Sequence, residues 1–138
     1  MNERQKDLIL YRLEQTAESI ESAWILFNNG KHRPAVNRAY YAMFYAVLAL
    51  LVTTEHSLSK HSGVISCFDK EFVKKGLFDK NLSRWLHEAF DLRQRADYTE
   101  MFSVSPERAE SIIKNAISFV EQIRKHISIE ESPSQNKP

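Results

Sequence analysis

Residues 34–54 read PAVNRAYYAMFYAVLALLVTT, and positions 39–52 within this stretch form an unbroken run of 14 apolar residues. Such a run is typical of a helix in a protein core, because a membrane-spanning helix needs about 20 apolar residues. Pro34 suits the first turn of a helix, where its missing N–H costs nothing. One face carries only small side chains, which would let another helix approach closely: Ala39, Ala42, Ala46 and Ala49. The stretch therefore predicts a central helix from about Pro34 to Thr54 that is apolar almost all round and buried.

The sequence before this helix predicts a second helix from about Glu3 to Asn28. Its apolar residues recur every three or four positions, which places them on one stripe: Leu10, Leu13, Ala17, Ile20, Trp24 and Phe27. The sequence Asn28-Asn29-Gly30 then ends the helix, because Asn and Gly accept the left-handed backbone conformation.

Three more helices are predicted after the central one. Their limits are about Ser59 to just before Gly76, Asn81 to Tyr98, and Ser105 to Ile127. Ser59 and Ser105 are the expected N-caps of the first and last of these helices. Apolar and polar residues never alternate for long enough to indicate a strand. The predicted fold class is therefore all-α, an up-and-down bundle of about five helices.

Length and composition indicate one cytoplasmic domain. The 138 residues fit a single domain, which we place at residues 1–128, followed by a flexible polar tail at 129–138. The charged start, Met1 to Asp7, does not resemble a signal segment. Cys67 is the only cysteine, so no disulfide can form within the chain, and a reducing compartment suits it. The 19 basic and 18 acidic residues leave a net charge of +1, which argues against tight, nonspecific binding to nucleic acid.

The central helix also motivates the prediction of a homodimer. A helix that is apolar almost all round leaves no face suited to water, and its alanine stripe would let a second copy approach closely. We therefore expect the bundle to associate through a helical face.

The sequence predicts no metal and no cofactor. No Glu is followed by a His three residues later, as di-iron bundles require, and three scattered glycines cannot form a phosphate-binding loop. We expect Cys67 to be a small core residue. We expect His87 and Asp91, which are four positions apart, to form a pair on the helix surface.

Polar chemistry is concentrated in residues 91–98, which read DLRQRADY. Two guanidinium groups, two carboxylates and a phenol share two helical turns, and Arg93 can pair with Asp97 four residues later. A salt-bridge network at a helix end and a functional site both fit this composition. A second cationic group, Lys31-His32-Arg33 with Arg38, is typical of a solvated loop, with a phosphate site as the alternative.

Three segments of the chain resemble the small prokaryotic HEPN proteins, whose name abbreviates higher eukaryotes and prokaryotes nucleotide-binding. These segments are NRAYYAMF at 37–44, KHSGV at 60–64 and RQRADY at 93–98, in the family's order and spacing. The resemblance covers about residues 5–127. It implies a bundle of four long helices and a short one, a dimer, and a nucleotidyltransferase-like partner protein encoded nearby, often in a toxin–antitoxin pair.

The resemblance also implies candidate site residues. Many HEPN domains are metal-independent ribonucleases with an Arg and, after four to six variable residues, a His. Arg93 matches the motif Arg, but Tyr98 stands at the shortest of those spacings and no His follows within the motif's reach. The candidate catalytic residues are Arg93, Asp97 and Tyr98. The candidate ligand-binding residues are Arg38, Tyr41, His61 and Arg95, around a cleft that takes a nucleotide or RNA phosphate.

Three functions remain open from the sequence. The first is a HEPN protein that binds a nucleotide or RNA phosphate at a dimer cleft and acts with its partner, which could also modify Tyr98. The second is an active metal-independent ribonuclease in which Tyr98 or Asp97 replaces the motif His. The third is a non-catalytic interaction module in which residues 93–98 only hold their helix in place.

Overall fold

The computed structural model describes residues 1–54, 56, 58, 60–98 and 101–135, and the side chains among them up to residue 128. Over these residues the chain forms five α-helices and no strand, which confirms the predicted all-α bundle. The helices are α1 (Glu3–Asn28), α2 (His32–Val52), α3 (His61–Phe68), α4 (Lys80–Tyr98) and α5 (Pro106–Gln135). A π-helical turn, Asp69–Val73, continues α3.

Helix α2 lies at the centre of the bundle and packs against each of the other four helices. Its alanine stripe is completely buried, as are Tyr40, Met43 and Leu50. By length and hydropathy α2 could also cross a membrane, but 67% of its most apolar segment is buried inside the bundle. This burial is the arrangement expected of a core helix, although one apolar stripe of α2 is only partly buried: Tyr41, Tyr45, Leu48 and Val52. The dimer that the sequence predicted stays a prediction.

Helix α1 turns a different face to the core from the one predicted. Leu10 is 65% exposed and Ala17 is also exposed, whereas the buried positions are Ile9, Thr16, Ser19 and Ala23. The larger residues Leu13, Ile20, Trp24 and Phe27 lie at the edge of the core. The buried line consists mainly of small side chains, and α1 makes its most extensive packing against α2. The way α1 packs against its neighbours, and not the spacing of its largest apolar residues, therefore decides which of its faces is buried.

The helix ends follow mostly from local sequence signals. Gly30 has a φ of +75°, which confirms the left-handed stop after α1. Ser105 caps α5, because its hydroxyl oxygen accepts a hydrogen bond of 3.0 Å from the Arg108 N–H. Ser59, the other predicted N-cap, lies outside the described residues, and α3 begins at His61. Helix α5 extends to Gln135, so the predicted end near Ile127 is wrong. The flexible tail over 129–138 stays a prediction.

Candidate functional site

Arg93 on α4 is the centre of a polar cluster between α2, α3 and α4. Its side chain is only 15% exposed. Its Nη2 donates a hydrogen bond of 3.2 Å to the Tyr41 hydroxyl oxygen. The guanidinium carbon lies 5.3 Å from the centroid of the Tyr41 ring and 5.4 Å from that of the Tyr40 ring, within the range of cation–π attraction. Two neighbouring tyrosines of α2 therefore hold one cation of α4.

Asp97 pairs with Arg93 along α4, as their spacing predicted. Asp97 Oδ2 lies 3.4 Å from Arg93 Nε, but the geometry is not that of a hydrogen bond, and Nε is buried without a hydrogen-bond partner among the described residues. The Asp97 side chain is 37% exposed. The carboxylate thus balances part of the cation's charge while the guanidinium keeps unused donors.

His61 joins the cluster from the first residue of α3. Its Nδ1 lies 2.7 Å from the Tyr40 hydroxyl oxygen. Its ring stacks on Phe44, with the two ring centroids 4.2 Å apart and the planes inclined by 8°. The Tyr41 ring meets it edge-on, at a centroid separation of 5.6 Å. These contacts fix the orientation of the imidazole ring.

Burial and charge keep the aromatic groups of the cluster neutral. Burial raises the pKa of Tyr40 far above its usual value, despite the opposing effect of Arg93. Burial, and then the positive charge of Arg93, lower the pKa of His61. At neutral pH the cluster therefore contains an uncharged imidazole and a protonated phenol beside the Arg93 cation.

Lowering the pH should destabilise the wild-type protein more than a His61→Phe variant. Because folding lowers the pKa of His61, the unfolded chain takes up a proton from about pH 6.5 downward, before the folded protein does. The stabilising contribution of His61 is thus fully present above about pH 6.5 and is lost as the pH falls through its folded pKa. The groups facing the imidazole are Arg93, Tyr40 and Tyr41, of which only Arg93 is charged. Denaturant unfolding at several pH values tests this, and parallel pH profiles for the two proteins would contradict it.

Beside the cluster is the opening of a groove of about 410 Å³ between the start of α2 and the end of α4, and Asp97 is one of its lining residues. Arg38 lies at this opening, with its guanidinium carbon 4.9 Å from the Tyr41 ring centroid and a hydrogen bond of 3.2 Å to Asn37 Oδ1. Asn37 Nδ2 donates in turn to Asp97 Oδ2 at 3.5 Å. Arg33, Asn37, Arg38 and Asp97 all line the groove. An anionic ligand entering it would meet Arg33, Arg38 and the Asp97 carboxylate, and Arg93 lies one helical turn from Asp97.

The structure thus brings together most of the residues selected from the sequence, but not all. Arg93, Asp97, Arg38, Tyr41 and His61 form one cluster. Arg95 is exposed, and the Tyr98 side chain is 79% exposed. At 100° per residue, Arg95 and Tyr98 lie 160° and 140° around the α4 axis from Arg93, so they point away from it.

Tyr40 is the principal member of the cluster that sequence reasoning missed. The sequence predicted core packing for it, and its ring is fully buried. Its hydroxyl nevertheless reaches His61, which is 21 residues away along the chain. The sequence feature that could have indicated Tyr40 is the Tyr40-Tyr41 pair. Adjacent helical positions point about 100° apart, so the two side chains can contact two different neighbouring helices.

The remaining candidates for site chemistry belong to the structural framework. Cys67 is buried, as predicted, and burial raises the pKa of its thiol. The prediction that His87 pairs with Asp91 is wrong. His87 Nε2 lies 2.6 Å from Asp69 Oδ2, across the junction between α4 and the π-helical turn. Within the described residues, no three His, Cys, Asp or Glu side chains are grouped so that they could hold a metal ion.

Comparison with known proteins places this chain in a family. The HEPN domain model matches residues 9–126. A UPF0332 protein of Thermotoga maritima is 39% identical over 127 residues, which cover 92% of this chain and 96% of the relative. Two proteins of Methanocaldococcus jannaschii, each named "Putative toxin", are 37% and 39% identical and cover 83% and 91% of this chain, and 78% and 92% of their own lengths. The chain therefore belongs to the HEPN domain family, and its polar cluster around Arg93 lies within the matched region.

Proposed function

We propose that this protein is the HEPN member of a prokaryotic toxin–antitoxin-type system and binds a nucleotide or RNA phosphate at the Arg93 cluster. The names of the two Methanocaldococcus jannaschii relatives support the toxin–antitoxin role. In this proposal the protein acts in the cytoplasm with a nucleotidyltransferase-like partner. Exposed Tyr98 would be available to that partner for modification. Arg95 points away from Arg93 and lies outside the proposed phosphate site.

The observation that carries the proposal is the state of the Arg93 side chain. It is 15% exposed and held by two tyrosine rings, yet its hydrogen bond to Tyr41 is the only one it forms among the described residues. A guanidinium group has five N–H donors in a rigid fork that matches the oxygens of a phosphate. A largely enclosed arginine with unused donors, beside a groove lined by two further arginines, is therefore suited to an anionic ligand.

Binding of a non-cleavable RNA tests the proposal. A fluorescent 2′-O-methyl oligoribonucleotide lacks the free 2′-hydroxyl that attacks the phosphate during cleavage, so anisotropy measures its binding alone. We expect saturable binding at low ionic strength that weakens as salt is added. A wild-type protein that binds neither this probe nor adenosine monophosphate would contradict the proposal and favour the non-catalytic interaction module.

A metal-independent ribonuclease is the second candidate, favoured by the position of Asp97. Its carboxylate is partly exposed, 3.4 Å from the Arg93 cation, where it could accept the proton of a ribose 2′-hydroxyl. Tyr98 is less suited to this role, because it points away from Arg93 and a phenol has an ordinary pKa of about 10. Cleavage of unmodified RNA with a chelator present, abolished in both Asp97→Asn and Arg93→Ala variants, would support the ribonuclease. Cleavage that survives both substitutions would mean that the ribonuclease site does not include Arg93 and Asp97.

We also propose that the protein forms a homodimer through the outer face of α1. Leu10, Tyr11 and Ile25 are each more than half exposed, and helical geometry places them within about 100° of arc. Exposed apolar groups on one face are typical of an interaction surface. Sedimentation velocity should give a dimer for the wild type and a monomer for Leu10→Asp. A wild type that stays monomeric at high micromolar concentration would contradict this proposal.

A further inference from the structure

The hydrogen bond between Tyr40 and His61 has a definite direction. The Tyr40 side chain is fully buried, and His61 Nδ1, at 2.7 Å, is the only described partner of its hydroxyl group. A buried hydroxyl that donates to nothing loses the free energy of a hydrogen bond, so the Tyr40 O–H must donate to Nδ1.

This direction determines which tautomer His61 adopts. A neutral imidazole whose Nδ1 accepts a hydrogen bond carries its own proton on Nε2. A second proton would turn Nδ1 into a donor, leave the Tyr40 proton without an acceptor, and add a positive charge beside Arg93. His61 is therefore neutral, with an N–H donor on the ring edge opposite Tyr40. Its side chain is partly exposed, and within the described part of the chain nothing bonds to Nε2.

The Tyr41 hydroxyl group is a second unused donor, in addition to His61 Nε2–H. Its hydroxyl oxygen accepts the hydrogen bond from Arg93 Nη2, so its proton is free to point elsewhere, and no acceptor for it is present among the described residues. The Tyr41 ring is close to both other groups, 5.6 Å from the His61 ring centroid and 5.3 Å from the Arg93 guanidinium carbon. The donors of His61 and Arg93 thus belong to groups that contact the partly exposed Tyr41, which carries the third donor.

We propose that His61 Nε2–H, the Tyr41 O–H and the Arg93 guanidinium form a three-donor site for the oxygens of one phosphoryl group, in which His61 acts as a neutral hydrogen-bond donor and not as a base. A phosphate presents only acceptors, so it matches a site made only of donors. Arg93 and Arg38 against Asp97 leave one net positive charge for the anion. This inference rests on the proposed function, because it assumes that the ligand binds at Arg93.

Substitutions at positions 61 and 41 test whether His61 acts as a hydrogen-bond donor or as a base. Glutamine at position 61 offers an N–H near the place of Nε2 but cannot take up a proton at neutral pH, whereas phenylalanine keeps only the ring. With the 2′-O-methyl oligoribonucleotide as probe, we expect His61→Gln to bind nearly as well as the wild type. We expect His61→Phe and Tyr41→Phe to bind at least about tenfold more weakly, since a hydrogen bond to a charged group is lost. Competition by adenosine monophosphate shows whether a mononucleotide supplies the phosphoryl group or only an RNA strand does.

Nitrogen NMR of the unliganded wild-type protein provides a measurement that needs no variant to fold. With 15N-labelled histidine at neutral pH, the ring shifts of His61 should be those of the neutral Nε2–H tautomer. An Nδ1–H tautomer or an imidazolium ion would overturn the inference, whatever the binding results. It would also be overturned if His61→Phe and Tyr41→Phe, both folded by circular dichroism, bind like the wild type.

Failure of this inference can be told from failure of the proposed function. If Arg93→Ala weakens binding while the variants at 61 and 41 do not, the phosphate site stands and the three-donor arrangement is wrong. If Arg93→Ala binds like the wild type, or the wild type binds neither probe, both proposals fail.

Discussion

Replacement of Arg93 by alanine is expected to weaken binding of the 2′-O-methyl oligoribonucleotide by at least about 100-fold, because two or more hydrogen bonds to a charged phosphate are lost. The guanidinium group is largely enclosed, so water replaces it poorly and no neighbouring cation occupies the same position. Arg38 is held by Asn37 at the opening of the groove and cannot take its place without breaking those contacts. Fluorescence anisotropy at constant ionic strength measures the change.

Two further variants test whether a loss of binding is specific to the guanidinium group at position 93. Arg4→Ala removes the same charge from an exposed position on α1, and we expect it to bind within about twofold of the wild type, because remote surface charges are screened. Arg93→Lys keeps the charge but loses the planar fork, and it should fall between the wild type and Arg93→Ala. Equal losses in Arg4→Ala and Arg93→Ala would mean that only net charge matters and would argue against a site at Arg93.

Replacement of Phe68 by alanine should lower the free energy of unfolding by about 3–5 kcal/mol. Phe68 is fully buried on α3, and its ring contacts those of Phe72, Phe78 and Phe119 at centroid distances of 5.4–6.1 Å. The substitution leaves a cavity among rings that come from the π-helical turn, the segment before α4, and α5. For a domain of this size the midpoint of thermal unfolding should fall by roughly 10–20 °C.

Leu77→Ala is the matched control for this prediction. Leu77 is 51% exposed in the segment before α4, so its removal should change the free energy of unfolding by less than about 1 kcal/mol. If Phe68→Ala unfolds at the same temperature as the wild type, the aromatic cluster does not stabilise α3. The position of His61 at the start of that helix would then need another explanation.

The helical class and the central place of α2 could be predicted because they depend on local patterns. A run of 14 apolar residues with small residues on one face has few ways to avoid water except inside a helical bundle. The Arg93–Asp97 pair and the Ser105 cap were likewise predictable, since both depend on a spacing of three or four residues along one helix.

The errors occurred where several partners were possible. His87 had a carboxylate at the expected helical spacing in Asp91, but Asp69 from the π-helical turn forms the shorter contact. On α1 the buried positions are mainly small residues and not the largest apolar ones, and α1 packs most extensively against α2. Neither the partner of His87 nor the buried face of α1 can be deduced from the spacing of residues along one helix. Each depends on the position of a second element of the fold.

The sequence by itself therefore determined the all-α class, the buried central helix and the position of Arg93 on the fourth helix, because hydrophobic periodicity and short-range pairing act within single helices. Only the tertiary structure decided that Tyr41 contacts Arg93 across 52 positions and that Tyr40 contacts His61 across 21. The direction of the Tyr40–His61 hydrogen bond, and with it the chemical role of His61, depends on burial, which the fold creates and the local sequence does not show.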